Sequence, residues 1–136
     1  MHCELCTIFA KGAVSLTIQD IFDEVDTLVP NFYSSSQKLR WFNDLEYRIY
    51  KELFTEFYPG ELPDYEDHED TAEAPQVNDA YGRDMYLHYL VAQMDFYNDE
   101  YSKYNQAITL FNNAYKAFED YYTRTYSSKR EHYWRI

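Results

Sequence analysis

The sequence predicts an all-α protein of about four helices, in which two antiparallel helical hairpins pack as a small bundle with a long acidic loop between them. First, 3 Gly and 4 Pro in 136 residues are too few for the tight turns of a sheet-rich protein. Second, apolar residues recur at helical spacing. Third, aromatic residues make up 20% of the chain, with 16 Tyr. Tyr suits half-exposed seams and interfaces, because its ring can be buried while its hydroxyl reaches water or a partner.

Capping signals begin both helices of the first predicted hairpin. Thr17 and Asp20 have the spacing of a capping box, as do Ser34 and Gln37 further along the chain. The apolar residues that follow at helical spacing are Ile18, Ile21, Phe22, Val25, Leu28 and Val29 in the first helix, and Leu39, Phe42, Leu45, Ile49 and Leu53 in the second. Pro30-Asn31 ends the first helix, and Pro59-Gly60 ends the second near Phe57.

A long, solvated and partly mobile acidic loop, residues 59–80, is predicted between the two hairpins. Its acids are Glu61, Asp64, Glu66, Asp67, Glu69, Asp70, Glu73 and Asp79. The run from Asp64 to Asp70 lacks the central Gly and the regular oxygen spacing of an EF-hand, so a solvated acidic run is favoured over a calcium site.

The second hairpin is predicted from a third helix, from about Gly82 to Asn98, and a fourth that follows a break at Asn98-Asp99. Five residues of the third helix are expected to face the core: Leu87, Leu90, Val91, Met94 and Tyr97. A seam with steps of three and four residues marks the fourth helix: Tyr101, Tyr104, Ile108, Phe111, Tyr115, Phe118 and Tyr122. We expect this seam to pack in the domain core, because dedicated oligomer zippers prefer Leu, Ile and Val over Tyr.

The charge is strongly negative and uneven. The net charge is −12, which disfavours ordinary binding to nucleic acid or to an anionic membrane. Residues 1–126 carry 23 acids against 9 Lys and Arg, whereas residues 127–136 carry three basic residues and one acid. No apolar run is long enough to span a membrane, and no basic-then-apolar leader is present, so we expect a cytosolic product.

Motifs for catalysis or cofactor binding are missing from the sequence, so we predict a protein that is not an enzyme and holds no cofactor or metal. It contains no Gly-rich phosphate loop, no nucleophile elbow and no Glu-x-x-His pair for a di-iron site. Asp84 and His88, one turn apart, are interpreted as a surface pair. Cys3 and Cys6 have only His2 nearby, which is too few ligands for structural zinc.

The two ends of the chain are predicted to lie outside the helical domain of residues 16–126. Residues 1–15 are interpreted as a disordered leader or as a non-native start. In the second case, our hypothesis is that natural translation begins at the codon for Leu16. Residues 127–136 form a basic, aromatic tail, for which a frayed end, nucleic-acid binding and protein docking are the alternatives. Protein docking is favoured, because Trp, Tyr and Arg dominate interface hot spots. The predicted partner-binding residues are Arg124, Tyr126, Lys129, Arg130, Tyr133, Trp134, Arg135 and Ile136.

Two stretches, residues 17–54 and 86–126, resemble the head–tail connector, or adaptor, family of tailed phages and prophages of Gram-positive bacteria. The most telling pieces are Ala92-Gln93-Met94-Asp95, Lys103-Tyr104-Asn105, Phe111-Asn112-Asn113-Ala114-Tyr115 and Tyr121-Tyr122-Thr123-Arg124-Thr125. The resemblance implies a virion protein that forms a dodecameric ring under the portal, extends the DNA channel and receives the next tail-completion protein. It also implies that the C-terminal segment reaches into the portal.

The acidic composition agrees with a channel through which double-stranded DNA slides without specific binding, because acidic walls repel phosphate. An alternative from another class is an acidic DNA mimic, or inhibitor-type module, that occupies a nucleic-acid-binding protein. An enzyme or metal carrier is the weakest alternative, because the sequence contains no convergent set of ligands.

Overall fold

Four helices make up the fold in the computed structural model, which describes residues 16–134 and the side chains of residues 16–126. Helix α1 is Ile18–Leu28, and α2 comprises Ser35–Ile49, a π-helical segment Tyr50–Phe54 and a last turn Thr55–Phe57. Helix α3 is Ala80–Tyr97 and α4 is Tyr101–Trp134. No strand occurs between residues 16 and 134, and the predicted all-α fold class is confirmed. The predicted leader, with Cys3 and Cys6, lies outside the described residues.

Both predicted N-terminal caps are present. The Thr17 hydroxyl accepts a hydrogen bond from the Asp20 amide at 3.1 Å, and the Asp20 carboxylate accepts one from the Thr17 amide at 3.0 Å. The Ser34 hydroxyl accepts from the Gln37 amide at 3.1 Å. These side chains satisfy amides that have no partner inside the first turn of a helix, which is why α1 and α2 begin where the sequence predicts.

The helices of each hairpin run antiparallel. In the first hairpin Phe22 contacts Phe42, with ring centroids 6.2 Å apart, and Asp26 pairs with Lys38 at 2.6 Å. Along the second hairpin, the ring pairs are Phe96–Tyr104, Tyr89–Phe111 and Tyr81–Tyr121. The hairpins meet where the rings of Phe42 and Tyr86 stack at 4.5 Å.

The aromatic seam of α4 is confirmed as core in its C-terminal part. Phe111, Tyr115, Phe118 and Tyr122 are all buried. Its first residue, Tyr101, is 57% exposed, so the prediction that the seam faces inward from its start is wrong. The same correction applies to Leu28 and Tyr97, which are 58% and 59% exposed. All three residues lie at helix ends, where the neighbouring helices no longer cover the apolar face.

The loop between α2 and α3 is as acidic as predicted, and all eight of its acids are exposed. It is nevertheless held against the bundle, which differs from the expectation of a solvated, partly mobile segment. The amides of Ile18 and Gln19 donate to the carbonyls of Glu73 and Thr71 at 3.0 and 2.8 Å, and Val77 is 4% exposed. The loop therefore exposes its acids and buries Val77 against the bundle.

The C-terminal segment also differs from the predicted separate tail, because α4 continues as one helix to Trp134. Its described side-chain contacts with the core extend to Tyr126. The backbone of residues 127–134 is therefore helical, and residues 135 and 136 lie outside the described part of the chain.

Candidate protein-interaction surfaces

A buried carboxylate, Glu46 of α2, organises the contact between the bundle and the acidic loop. Glu46 has no exposed surface. Its carboxylate accepts hydrogen bonds from the Tyr86 hydroxyl, from His68 Nε2 at 2.7 Å, and from the Gln76 amide and Nε2 at 2.9 and 3.2 Å. A carboxylate so enclosed cannot reach a substrate, and we interpret it as an anchor for the loop.

His68 bridges two carboxylates. Its Nδ1 lies 2.7 Å from Glu73, and its Nε2 lies 2.7 Å from Glu46. Two carboxylate acceptors require donation from both ring nitrogens, which only the protonated imidazole provides. The hydrogen bond to Glu46 is the largest cause that raises the pKa of His68, and it outweighs burial, which lowers it. The bond to His68 likewise lowers the pKa of Glu73.

Asn43, one turn before Glu46, fixes the backbone of the loop. Its side chain donates to the His68 carbonyl at 3.1 Å and accepts from the His68 amide at 3.0 Å. The Tyr65 hydroxyl donates to the Asn43 carbonyl at 3.1 Å. We call Asn43, Glu46, His68, Gln76 and Tyr86 the loop clamp. Sequence reasoning missed it, although Glu46 falls on the predicted inward face of α2, between Phe42 and Ile49.

An exposed group of aromatic side chains lies where the α1–α2 connection meets the α3–α4 turn. We call Phe32, Phe96, Tyr97 and Tyr101 the aromatic end; they are 106%, 46%, 59% and 57% exposed. Tyr97 stacks on Trp41 at 5.6 Å, and Phe96 contacts Tyr101 at 6.3 Å. Phe96 also contacts Tyr97 at 5.3 Å, so these three rings form a continuous surface, and Phe32 is exposed on the neighbouring α1–α2 connection. Exposed aromatic side chains grouped in this way are characteristic of a protein-interaction site.

Polar contacts hold the two chain segments that carry the aromatic end. The Tyr33 hydroxyl donates to the Asn98 side chain at 2.7 Å and so ties the α1–α2 connection to the α3–α4 turn. Asn31 donates to Asp26 at 3.0 Å and accepts from the Tyr33 amide at 3.1 Å. These bonds fix the backbone on both sides of Phe32 and leave its ring outside the bundle.

The structure describes the side chains of two predicted partner-binding residues, Arg124 and Tyr126. Tyr126 is half-buried, and its ring contacts that of Tyr122 at 4.7 Å. It therefore packs against the core of the bundle next to the start of the tail. Arg124 is exposed. The side chains of Lys129, Arg130, Tyr133 and Trp134, and the whole of Arg135 and Ile136, lie outside the described residues.

Within the described part of the chain, no three His, Cys, Asp or Glu side chains are grouped so that they could hold a metal ion. No helix in that part is long and apolar enough to cross a membrane. Comparisons with models of known protein families, with curated protein sequences and with solved structures found no match. Function is therefore inferred from the exposed surfaces of the bundle and from the resemblance of the sequence to head–tail connectors.

Proposed function

We propose that this protein is a non-enzymatic head–tail connector that assembles as a ring on a phage portal and extends the DNA channel. The observation that carries the proposal is the aromatic end, because it exposes four aromatic residues on two chain segments that the Tyr33–Asn98 hydrogen bond joins at one end of the bundle. Such a surface favours docking to protein over catalysis or nucleic-acid binding.

The resemblance to connectors involves residues on which the packing of this fold depends. Met94 and Asp95 are buried in α3, and Phe111 and Tyr115 are buried in α4. All four belong to the short pieces that carry the resemblance, so the resemblance includes core residues that build the second hairpin. This supports a connector-like bundle, and the function follows by analogy.

The exposed charge supports passage of DNA without binding. All eight acids of the loop are exposed, and the chain carries a net charge of −12. Acidic groups repel phosphate, with a range of about 10 Å at 0.1 M salt. A ring lined by such surfaces would let double-stranded DNA slide without holding it.

A connector needs separate surfaces for its neighbours in the ring and for the portal. The aromatic end lies at the start of α4, and the basic tail begins 26 residues after Tyr101, at Ser127. A straight helix of that length spans about 40 Å, so the two surfaces are distant from each other. We assign the tail to the portal, and the aromatic end to a neighbouring copy or to the next tail-completion protein.

The test is to express the N-terminally tagged full chain in the bacterium that carries its gene and to identify the proteins that co-purify. A second form lacks residues 127–136, a third carries Phe32→Ser with Tyr101→Ser, and a control carries Leu110→Ser. Leu110 is 50% exposed but lies nine residues after Tyr101 in α4, about 13 Å along the helix from the aromatic end. We expect a portal-like ring protein with the full chain and with the control.

Loss of that protein on removal of residues 127–136 would support portal docking through the tail. Loss of self-association in the Phe32→Ser/Tyr101→Ser form would support ring contact through the aromatic end. Recovery of a DNA-binding host protein instead would contradict the connector proposal and support the inhibitor class. Recovery of no partner from any form would also contradict it.

A further inference from the structure

A cleft lined by tyrosines lies between the end of α2, the acidic loop and α4. Its volume is about 470 Å³, and we call it the tyrosine cleft. Its walls include Phe54, Tyr58, Asp64, Glu66, Tyr122 and Tyr126. Phe54 contacts Tyr58 at 5.4 Å and Tyr122 at 5.3 Å, and Tyr122 contacts Tyr126 at 4.7 Å. The rings therefore form one continuous aromatic surface.

The phenol groups converge on the same region. Burial raises the pKa of Tyr122, and the neighbouring phenols of Tyr126 and Tyr58 raise it further. The loop is fixed beside these rings, because the Tyr50 hydroxyl donates to the Pro63 carbonyl at 2.6 Å. Asp64 follows directly, so the loop supplies carboxylates to the cleft from Asp64 and Glu66, both of which are exposed.

Aromatic rings and a carboxylate together bind an arginine side chain, that of Arg48, elsewhere in this protein. The Arg48 guanidinium lies 4.4 Å from the ring centre of Tyr115 and 5.6 Å from that of Phe111. Arg48 also donates to the Glu52 carboxylate at 3.3 Å, and Tyr115 donates to the same carboxylate at 2.5 Å. A planar guanidinium is suited to this arrangement, since it stacks on an aromatic face while its N–H groups bond a carboxylate.

We propose that the tyrosine cleft binds an arginine side chain of a partner protein. The cleft offers aromatic faces and carboxylates, as the Arg48 site does, but no Lys or Arg is among its described lining residues. Its local charge is therefore negative and complementary to a guanidinium. The site is distinct from the aromatic end and is independent of the proposed connector function.

The probe is N-acetyl-L-arginine amide, titrated into the full chain while the aromatic resonances are followed by NMR. N-acetyl-L-citrulline amide is the neutral ligand of similar shape. The test variant is Asp64→Asn with Glu66→Gln, and its matched control is Glu61→Gln with Glu69→Gln. All four residues are exposed acids of the same loop, and both variants change the net charge equally, but only the first pair lines the cleft.

We expect the arginine amide to shift the resonances of Tyr58, Tyr122 and Tyr126, and the citrulline amide to leave them unchanged at equal concentration. The Asp64→Asn/Glu66→Gln form should bind about fivefold more weakly, whereas the control form should bind as the wild type does. Equal binding of both ligands, or equal weakening in both variants, would overturn the proposal. It would also be overturned if residues 127–136 of a second copy fill the cleft, which would appear as concentration-dependent shifts that removal of these residues abolishes.

Discussion

At the scale of single residues, Glu46 decides how the acidic loop meets the bundle. Burying a carboxylate is unfavourable unless it is paired and hydrogen-bonded. Here His68 supplies the pairing charge, while Tyr86 and Gln76 supply further donors. Removing one partner of a buried pair leaves the other charge uncompensated, so the clamp should be sensitive to single substitutions.

His68→Gln should lower the free energy of unfolding by about 2 kcal/mol at pH 6, because the charged bridge between Glu46 and Glu73 is lost. The pKa of His68 is raised in the folded protein above its ordinary 6.5. The stabilisation is therefore fully present below pH 6.5 and is lost as the pH rises through the raised value. Urea denaturation of both forms from pH 6 to pH 9 measures the difference.

The difference between the wild type and His68→Gln should thus shrink as the pH rises. Measurements should stay above the ordinary pKa of Glu73, 4.5, because this group, whose pKa is lowered by His68, loses its own contribution at lower pH. A difference that stays constant from pH 6 to pH 9 would show that His68 is not protonated in the clamp.

Tyr86→Phe should cost about 2 kcal/mol of stability, because it removes a hydroxyl with two buried partners. That hydroxyl donates to Glu46 and accepts from the Val77 amide at 3.2 Å. Urea denaturation measures the loss, and hydrogen exchange of the Val77 amide should become faster. Tyr97→Phe is the control, since Tyr97 is 59% exposed. Equal stabilities of the two variants would contradict the role of the Tyr86 hydroxyl.

At the scale of elements, the start of α3 depends on close approach between the helix and the loop that precedes it. Asp79 caps the helix by accepting from the Gly82 amide at 3.1 Å. Gly82 lies against the backbone of Val77: a Cβ at this position would stand 2.1 Å from the Val77 carbonyl oxygen. Glycine is therefore required here for space.

Gly82→Ala should destabilise the protein by about 2 kcal/mol despite the better helix propensity of alanine. The propensity gain is at most about 1 kcal/mol, and it cannot compensate for a contact that forces a backbone atom to move. Thermal or urea unfolding measures the change. Gln106→Ala, on the exposed face of α4, is the control and should be neutral or slightly stabilising. A stabilised Gly82→Ala form would contradict this prediction, because it would show that the Val77 backbone moves away without loss of stability.

At the scale of the whole molecule, packing and the proposed assembly depend on different residues. Glu46 and Tyr86 of the loop clamp are buried, as is the α4 seam from Phe111 to Tyr122, whereas the aromatic end is exposed and contributes little to the core. Substitutions at the aromatic end should therefore separate stability from assembly, which substitutions in the clamp cannot do.

Phe32→Ser should leave the free energy of unfolding within about 0.5 kcal/mol of the wild type, because the ring is fully exposed. It should nevertheless weaken self-association in the presence of the portal-like partner. Urea denaturation and co-purification measure the two effects. Phe42→Ser is the opposite case: Phe42 is 1% exposed, and its loss should unfold the bundle. A Phe32→Ser form with reduced stability and normal assembly would contradict the assignment.

The sequence by itself determined where the first two helices begin and end, and most of what the helices bury. Thr17, Ser34 and Pro59 act on their immediate neighbours, and the seam from Phe111 to Tyr122 follows from spacing along one helix. These features depend on residues close together in the chain, so they can be recognised without the fold.

Only the tertiary structure decided which side chains pair across the chain and which helix faces stay uncovered. Glu46 meets His68 and Tyr86 from 22 and 40 residues away, and no local pattern specifies such partners. Tyr97 and Tyr101 continue apolar patterns yet remain exposed, because burial requires neighbouring elements that cover the ring on every side, and the described ones leave more than half of each residue uncovered. Periodicity identifies a face that can be buried, and only the arrangement of the other helices determines whether it is.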